Sequence, residues 1–410
     1  MNANLWRATL AGLCASLIGI GLARFAYTPL IPALIAEGWF RPAEAAYLGA
    51  ANLAGYVAGA LLARRIAVQF GTVATLRAMM ALAAASFFAA AFPSSFAWFF
   101  LWRFASGVAG GALMVLAAPA VLPHVPASRR GLVGGAIFTG VGLGIALSGS
   151  LVPLLLHQGL VTTWLGLGAL ALLLTALGWS GWPDQPAPAK PTGPVPARRR
   201  WSSPALIALL IGYGLNAAGL VPHMVFLVDF VARGLGRGIA AGSACWILFG
   251  LGAIAGPILA GRLADRIGFA AALAAAFVVQ AALVGLLAIA DGPIALGLSS
   301  LVVGACVPGI VPLVLGRVHE LLAHDPQARS AAWSAATTAF ALGQAAAAYA
   351  LSYLFGRDAD AYPMLFGLGA GALLLAFALD RAAIIATKPS LSARTGPADS
   401  ARPRAGRSCG

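Results

Sequence analysis

Twelve long, mostly apolar stretches, nearly empty of charge, fix the solvent that most of this chain must fold in. A helix needs ~20 such residues to cross ~30 Å of hydrocarbon. The stretches fall at residues 8–35, 44–63, 72–92, 96–123, 130–156 and 161–181, then at 205–231, 240–260, 269–290, 293–316, 330–355 and 361–382. Sixty per cent of the 410 residues are hydrophobic and only 9% are charged, too few charges to disperse a soluble globule. The expectation is an all-α membrane protein with twelve transmembrane helices.

The chain carries 26 Lys and Arg against 12 Asp and Glu, a surplus that would suit nucleic acid if it were clustered. It is instead distributed by side. With the N-terminus inside, only Arg41, Arg233, Arg237 and Arg357 fall in outer loops, and Arg24 and Arg103 lie within spans. Every other basic residue is on the inner side. That is the positive-inside asymmetry, which places both termini in the cytoplasm and argues against a nucleic-acid partner. Cys14, Cys245, Cys306 and Cys409 have no metal-ligand spacing and read as small apolar fillers, so neither metal nor cofactor is expected. The first apolar stretch is too long for a signal peptide and reads as a retained helix. Alanine, glycine and arginine outweigh two lysines, a composition that suits a GC-rich bacterial genome and hence a bacterial inner membrane.

Two halves are legible, 1–182 and 205–385. They are joined by a proline- and arginine-rich linker at 183–204 and followed by a polar tail at 386–410 that reads as disordered. Pro119 and Pro123 in the fourth span are answered by Pro308 and Pro312 in the tenth. Gly21 and Pro29 are answered by Gly214 and Pro222, and Arg130 by Arg329. Repeated halves predict a site near the midplane between them and alternating access by rocking.

The segment Gly261-Arg262-Leu263-Ala264-Asp265-Arg266-Ile267-Gly268 after the eighth span resembles the signature that major facilitator superfamily carriers place between the second and third helices of a half. The resemblance implies that this charge cluster latches the cytoplasmic side when the carrier faces outward, with Gly261 permitting close helix approach. In the equivalent first-half segment Val68 replaces the acid and Arg64 the first glycine, so that latch is expected to be weak or differently built. Arg103 to Gly111 resembles the family's fourth helix. Gly21 to Pro32 and Gly49 to Tyr56 are similar to the YbfB/YjiJ-type branch. The superfamily resemblance covers residues 5–385 and implies the major facilitator fold, with a monomer as the family default.

An arginine near the bilayer centre costs ~2.5–3.5 kcal/mol on insertion scales and needs a partner or a wet cavity. Arg24 and Arg103 are therefore candidate substrate ligands, and the resemblance places their helices around the cavity. At α-helical spacing Tyr27 and Thr28 share a face with Arg24, and Asn52 pairs with Tyr56 at i, i+4. The alternative for each arginine is structural, bonding carbonyls of a neighbouring helix. On the seventh span, which the resemblance also places at the cavity, Asn216 is a substrate candidate. His223 is a coupling candidate because imidazole changes charge near neutral pH; the alternative is a plain hydrogen bond. On the eleventh, Trp333, Thr337 and Gln344 form one stripe, facing either substrate or a neighbouring helix.

No acidic residue lies mid-span; Asp229 is deepest. Proton coupling would thus rest on Asp229, Glu37, His223 or the substrate itself; the alternative is a facilitator without coupling. The chain shows no G-x-S-x-G, H-E-x-x-H or P-loop, which argues against an enzyme. The expected function is a secondary transporter of a small solute, an organic anion on the strength of the two arginines. Efflux of lipophilic or cationic compounds by proton antiport is the alternative, and a non-transporting sensor on the same fold the next.

Overall fold

The structure, a computed structural model, describes residues 3–126, 129–183, 203–323, 325–358 and 361–387. The linker expected at 183–204 and the tail at 386–410 lie almost wholly outside these residues. Among the described residues there are twelve helices long and apolar enough to cross a membrane, and no strand. In the first half α1 covers residues 3–36, followed by α2 (Pro42–Phe70), α3 (Thr72–Ala90), α4 (Phe96–Val121), α5 (Arg130–Leu156) and α6 (Leu160–Gly178). In the second half α7 covers residues 204–234, followed by α8 (Gly238–Ile267), α9 (Phe269–Leu286), α10 (Pro293–Leu321), α11 (Pro326–Arg357) and α12 (Tyr362–Thr387).

The spans stand where hydropathy puts them, but α2 and α8 run about two turns past their expected ends. The Gly261–Gly268 segment is therefore the last helical turns of α8 and not a loop. Hydropathy stops counting at Arg64 and Arg262, whereas a helix continues through charged residues until something breaks it. Here the breaks are Gly71 (φ 87°, ψ 146°) and Gly268 (φ 81°, ψ 158°), each ending one helix and opening the next. That backbone region is essentially closed to side chains.

The repeat is written in backbone contacts. On α2, Gly55 and Gly59 lie so close to the Phe104 and Val108 carbonyls of α4 that an added Cβ would collide with them. On α8, Gly252 and Gly256 meet the Leu301 and Ala305 carbonyls of α10 in the same way. Gly107 against the Asn52 carbonyl is matched by Gly304 against that of Phe249. One constant offset along the chain relates every member of these sets, and also Gly71 to Gly268. In that register Pro119 is answered by Gly316, and Pro308 by Gly111, so the proline pairs of α4 and α10 are not equivalent positions. Their similar spacing arises from independent prolines about two turns apart. The glycine pairing holds as packing: Gly21 meets Gly144 of α5, and Gly214 meets Gly343 of α11.

The two halves meet along α2 with α11 and α5 with α8, and where α1 crosses α7. Gly250 lies against Ala146, Gly149 against Ile247, and Gly142 against Ile254. Among the described residues no packing of comparable extent joins α4 or α5 to α10 or α11. The molecule is therefore open at the face where α1 begins and α12 ends, the terminal face, and closed at the opposite, distal face. Gly261 illustrates this: an added Cβ there would meet nothing within 4 Å. The close helix approach expected of Gly261 is absent, because no other element packs against it.

These two glycines separate backbone strain from packing. Gly268→Ala should lower stability by about 1–3 kcal/mol, whereas Gly261→Ala should be neutral or stabilising by up to ~1 kcal/mol. Thermal unfolding of the detergent-solubilised variants checks the contrast.

Candidate functional site

Helix α1 is not a continuous α-helix. It is α-helical over Ala3–Ser16, π-helical over Leu17–Leu22, 3-10 over Phe25–Leu30 and α-helical again over Ile31–Ala36. Pro29 and Pro32 each lack an N–H, so the ordinary ladder cannot close across this stretch. In hydrocarbon any carbonyl left over needs a protein donor. The Ala23 carbonyl, at the π/3-10 junction, receives two: Arg103 Nη1 at 2.8 Å and Asn52 Nδ2 at 3.3 Å. Arg103 Nε also reaches the Leu48 carbonyl at 3.4 Å, and its guanidinium lies 4.2 Å from the centre of the Tyr27 ring. Asn52 donates further to Ser106 Oγ at 2.8 Å and to the Arg103 carbonyl at 3.2 Å. Arg103, Asn52 and Ser106 thus form one buried clamp on the break in α1.

The break also redirects its neighbours. Arg24, Tyr27 and Thr28 do not share a face as α-helical spacing predicts, because the backbone between them is 3-10. Tyr27 donates its hydroxyl to the Ala45 carbonyl of α2 at 2.8 Å. Thr28 crosses to the second half and donates to the Met224 carbonyl at 2.6 Å. Arg24 also crosses, donating from Nη2 to Gln344 Oε1 on α11. Its guanidinium lies 5.3 Å from the Tyr56 ring centre and 5.4 Å from that of Phe25. Asn52 and Tyr56 are likewise divided, one in the clamp and the other under Arg24.

Unlike Arg103, Arg24 is half-buried, with one neutral hydrogen-bond partner and its buried Nε unpaired. Gln344 turns its other end to Met224 Sδ at 3.0 Å. Thr337, two turns earlier on the same face of α11, is exposed toward the terminal face, and Trp333 is half-buried beyond it. That face therefore looks into the space between the halves. On the distal side of Arg24 the seam closes to a cavity of about 20 Å³ bounded by Arg24, Tyr27, Thr28, Arg103 and Met224, room for about one water.

The three candidates on α7 face the other way, into the second half. Asn216 Nδ2 bonds Gln280 Oε1 of α9 at 2.6 Å. His223 Nε2 lies 2.8 Å from Ser299 Oγ of α10, which itself donates to the Leu283 carbonyl at 2.6 Å. Ser299 therefore accepts from the histidine, which sets the Nε2–H tautomer. Asp229, fully buried, accepts from Tyr362 at 2.6 Å and from Arg233 at 3.2 Å. Glu37 is exposed, and Asp265, Arg262 and Arg266 are exposed on the terminal face without an ion pair among the described residues.

Several participants carried no sequence signal. Met224 contributes a carbonyl from the π-helical turn Pro222–Phe226 and a sulfur. Trp246 of α8 packs 5.9 Å from Phe25 and donates to Ser148 of α5 at 3.2 Å, another bond between the halves. Pro222, which cannot continue the α-helical ladder, was the one legible hint of the first.

Residues 16–381 match the family described as "Uncharacterised MFS-type transporter YbfB". The chain is 27% identical over 382 residues to a chloramphenicol resistance protein of Streptomyces lividans, covering 90% of this chain and 93% of the relative. It superposes on a crystal structure of the nucleoside transporter NupG (D323A mutant) with a TM-score of 0.74 and 16% identity, over 92% of this chain and 99% of that one. The last likeness speaks to the fold alone.

The two span arginines should respond differently to truncation. Arg103→Ala removes the shorter of the two side-chain donors to the Ala23 carbonyl and the added donor to that of Leu48, which should cost roughly 1–3 kcal/mol in a buried site, and Arg103→Lys should not rescue it because one ammonium cannot span both. Arg24→Gln should unfold within about 1 kcal/mol of the parent, since it loses one neutral contact at a half-open position. Thermal melts of the three variants decide between these roles.

Proposed function

The chain belongs to the YbfB family of MFS-type transporters, a multi-pass membrane protein with the major facilitator fold, and we propose that it moves a small organic anion by alternating access, with Arg24 as its central ligand. One observation carries the reading. Arg24 is a span arginine at the seam of the two halves, at the base of the space open to the terminal face, and its hydrogen-bond partner is an uncharged amide. A guanidinium held there at ~2.5–3.5 kcal/mol without a carboxylate partner among the described residues is a site waiting for negative charge. Its planar fork suits a carboxylate, and the Tyr56 and Phe25 rings beside it suit an apolar body attached to one.

In this reading Tyr56 is the other ligand and Gln344 occupies the guanidinium edge that the anion takes, while Arg103, Asn52 and Tyr27 hold the break in α1 that aims Arg24. Thr28 belongs to the distal closure, and Asn216 to the packing of the second half. The reading rests on the substrate's charge and needs no proton from His223 or Asp229, neither of which faces the open space in this conformation. The terminal face is cytoplasmic, in keeping with the placement of the basic residues, and the protein works as a monomer in the bacterial inner membrane. The Arg262–Asp265–Arg266 cluster closes the terminal face in the opposite state and is unmade here.

Efflux of lipophilic compounds is the second reading. It is favoured by the aromatic flanks of Arg24 and by the name of the relative from Streptomyces lividans. Cations are disfavoured, since the charge facing the space is positive.

Ligand-induced stabilisation separates these. A compound that binds the folded state at 100 times its Kd adds ~2.7 kcal/mol. Across organic anions, sugars, amino acids and lipophilic cations, an organic anion should raise the melting temperature, and Arg24→Gln should abolish that shift while still folding. Stabilisation by neutral or cationic lipophiles alone, or an anion shift that survives Arg24→Gln, would overturn the anion reading and favour efflux.

A further inference from the structure

Gln344 does more than touch Arg24. Its carboxamide has the planar shape of a carboxylate, and its oxygen sits on Arg24 Nη2, where a substrate oxygen would sit. Its nitrogen is tied to Met224 Sδ, and the carbonyl of that same Met224 receives Thr28. Arg24 and Thr28 belong to α1 of the first half, Met224 and Gln344 to α7 and α11 of the second. Four side chains thus make a short polar zipper across the seam, placed where the open space ends and the distal closure begins.

We infer that Gln344 is a built-in stand-in for the substrate's carboxylate, and that exchange between the two on Arg24 couples site occupancy to the distal gate. The inference rests on the proposed anion site. With the site empty, Gln344 holds Arg24 and ties α11 to α1, so the distal face stays shut. A carboxylate arriving from the open face takes the guanidinium edge, frees Gln344 from Arg24, and leaves Thr28 to Met224 as the zipper's remaining hydrogen bond between the halves. Run in reverse, Gln344 recaptures Arg24 and expels the substrate toward the terminal face. The anion binds the distally open state better because there it displaces nothing, and a ligand shifts a conformational equilibrium only by such a difference in affinity. A hydrogen bond to a charged group is worth a factor of roughly ten or more, which sets the expected coupling.

The test uses the full chain in detergent with benzoate as the probe, reading hydrogen–deuterium exchange of residues 25–36 and 222–234 together with the melting temperature. Without ligand, Gln344→Ala should raise exchange in both segments about tenfold. Gln344→Glu should lower it, because an internal carboxylate completes the pair with Arg24. Gln344→Met, which keeps the bulk but cannot accept from Arg24, should behave as alanine does and guards against a cavity effect. With ligand, benzoate should bind Gln344→Ala and Gln344→Met more tightly than the parent, about tenfold, and Gln344→Glu not at all. Unchanged exchange in Gln344→Ala and Gln344→Met, or faster exchange in Gln344→Glu, would overturn the inference. If the parent ignores benzoate and other anions, the anion-site reading fails, and the ligand-free comparison still decides whether Gln344 holds the gate.

Discussion

A carbonyl group inside a bilayer has no water to turn to, and the break in α1 creates one at Ala23. The rest of the site depends on how that carbonyl is satisfied. Arg103 and Asn52 donate to it from α4 and α2, and because both helices belong to the same half, the clamp makes the irregular segment a rigid part of that half. The 3-10 turn that follows then sends Arg24 and Thr28 across the seam and Tyr27 back to Ala45. Were α1 α-helical throughout, these side chains would share one face. The π-helical turn in α7 supplies the matching irregularity, offering the Met224 carbonyl to Thr28. The contacts between α1 and α7 therefore arise where both crossing helices depart from α geometry.

Within each half the glycines do a different job. Gly55, Gly59 and Gly107 let α2 and α4 touch backbone to backbone, and Gly252, Gly256 and Gly304 do the same for α8 and α10. Without a hydrophobic drive between helices in lipid, such close approach is a main source of cohesion. It also makes each half a closely packed unit. Between the halves, α5 and α8 share the same kind of contact at Gly142, Gly149 and Gly250, which suits a line about which one half rolls on the other. The polar zipper lies beside that line and involves few groups, so it can be remade without disturbing the cores.

The fold was legible because membrane helices announce themselves by length and hydropathy, and the two halves because the proline-rich stretch at 183–204 divides the twelve spans six and six. The proline pairs were a false match: spacing within a helix carries no register, and only the glycine contacts supply one. Arg24 and Gln344 were visible as polar residues in apolar spans. Their partnership was not, since nothing in a linear sequence joins α1 to α11. Arg103 and Asn52 looked like ligands for the same reason that Arg24 did, and only the break in α1 distinguishes a buried arginine that serves the backbone from one that faces the seam. The direction of α7 was equally hidden, because Asn216, His223 and Asp229 fit either face until packing chooses.

The two span arginines carry the same charge and similar insertion costs, yet their surroundings differ in kind. Arg103 has carbonyls on two of its nitrogens and a ring against its face; its charge is spread into fixed dipoles that cannot leave. Arg24 has an amide oxygen on one nitrogen and rings to its sides, a set that a charged ligand improves upon. A purely structural arginine gains nothing by leaving its strongest edge to a glutamine on the opposite half, because that bond is lost whenever the halves part. The placement makes sense if the bond is meant to be exchanged. In the proposed exchange, the asymmetry between a saturated arginine and an exchangeable one, both bearing on the same break in α1, is what would let the site report its own occupancy.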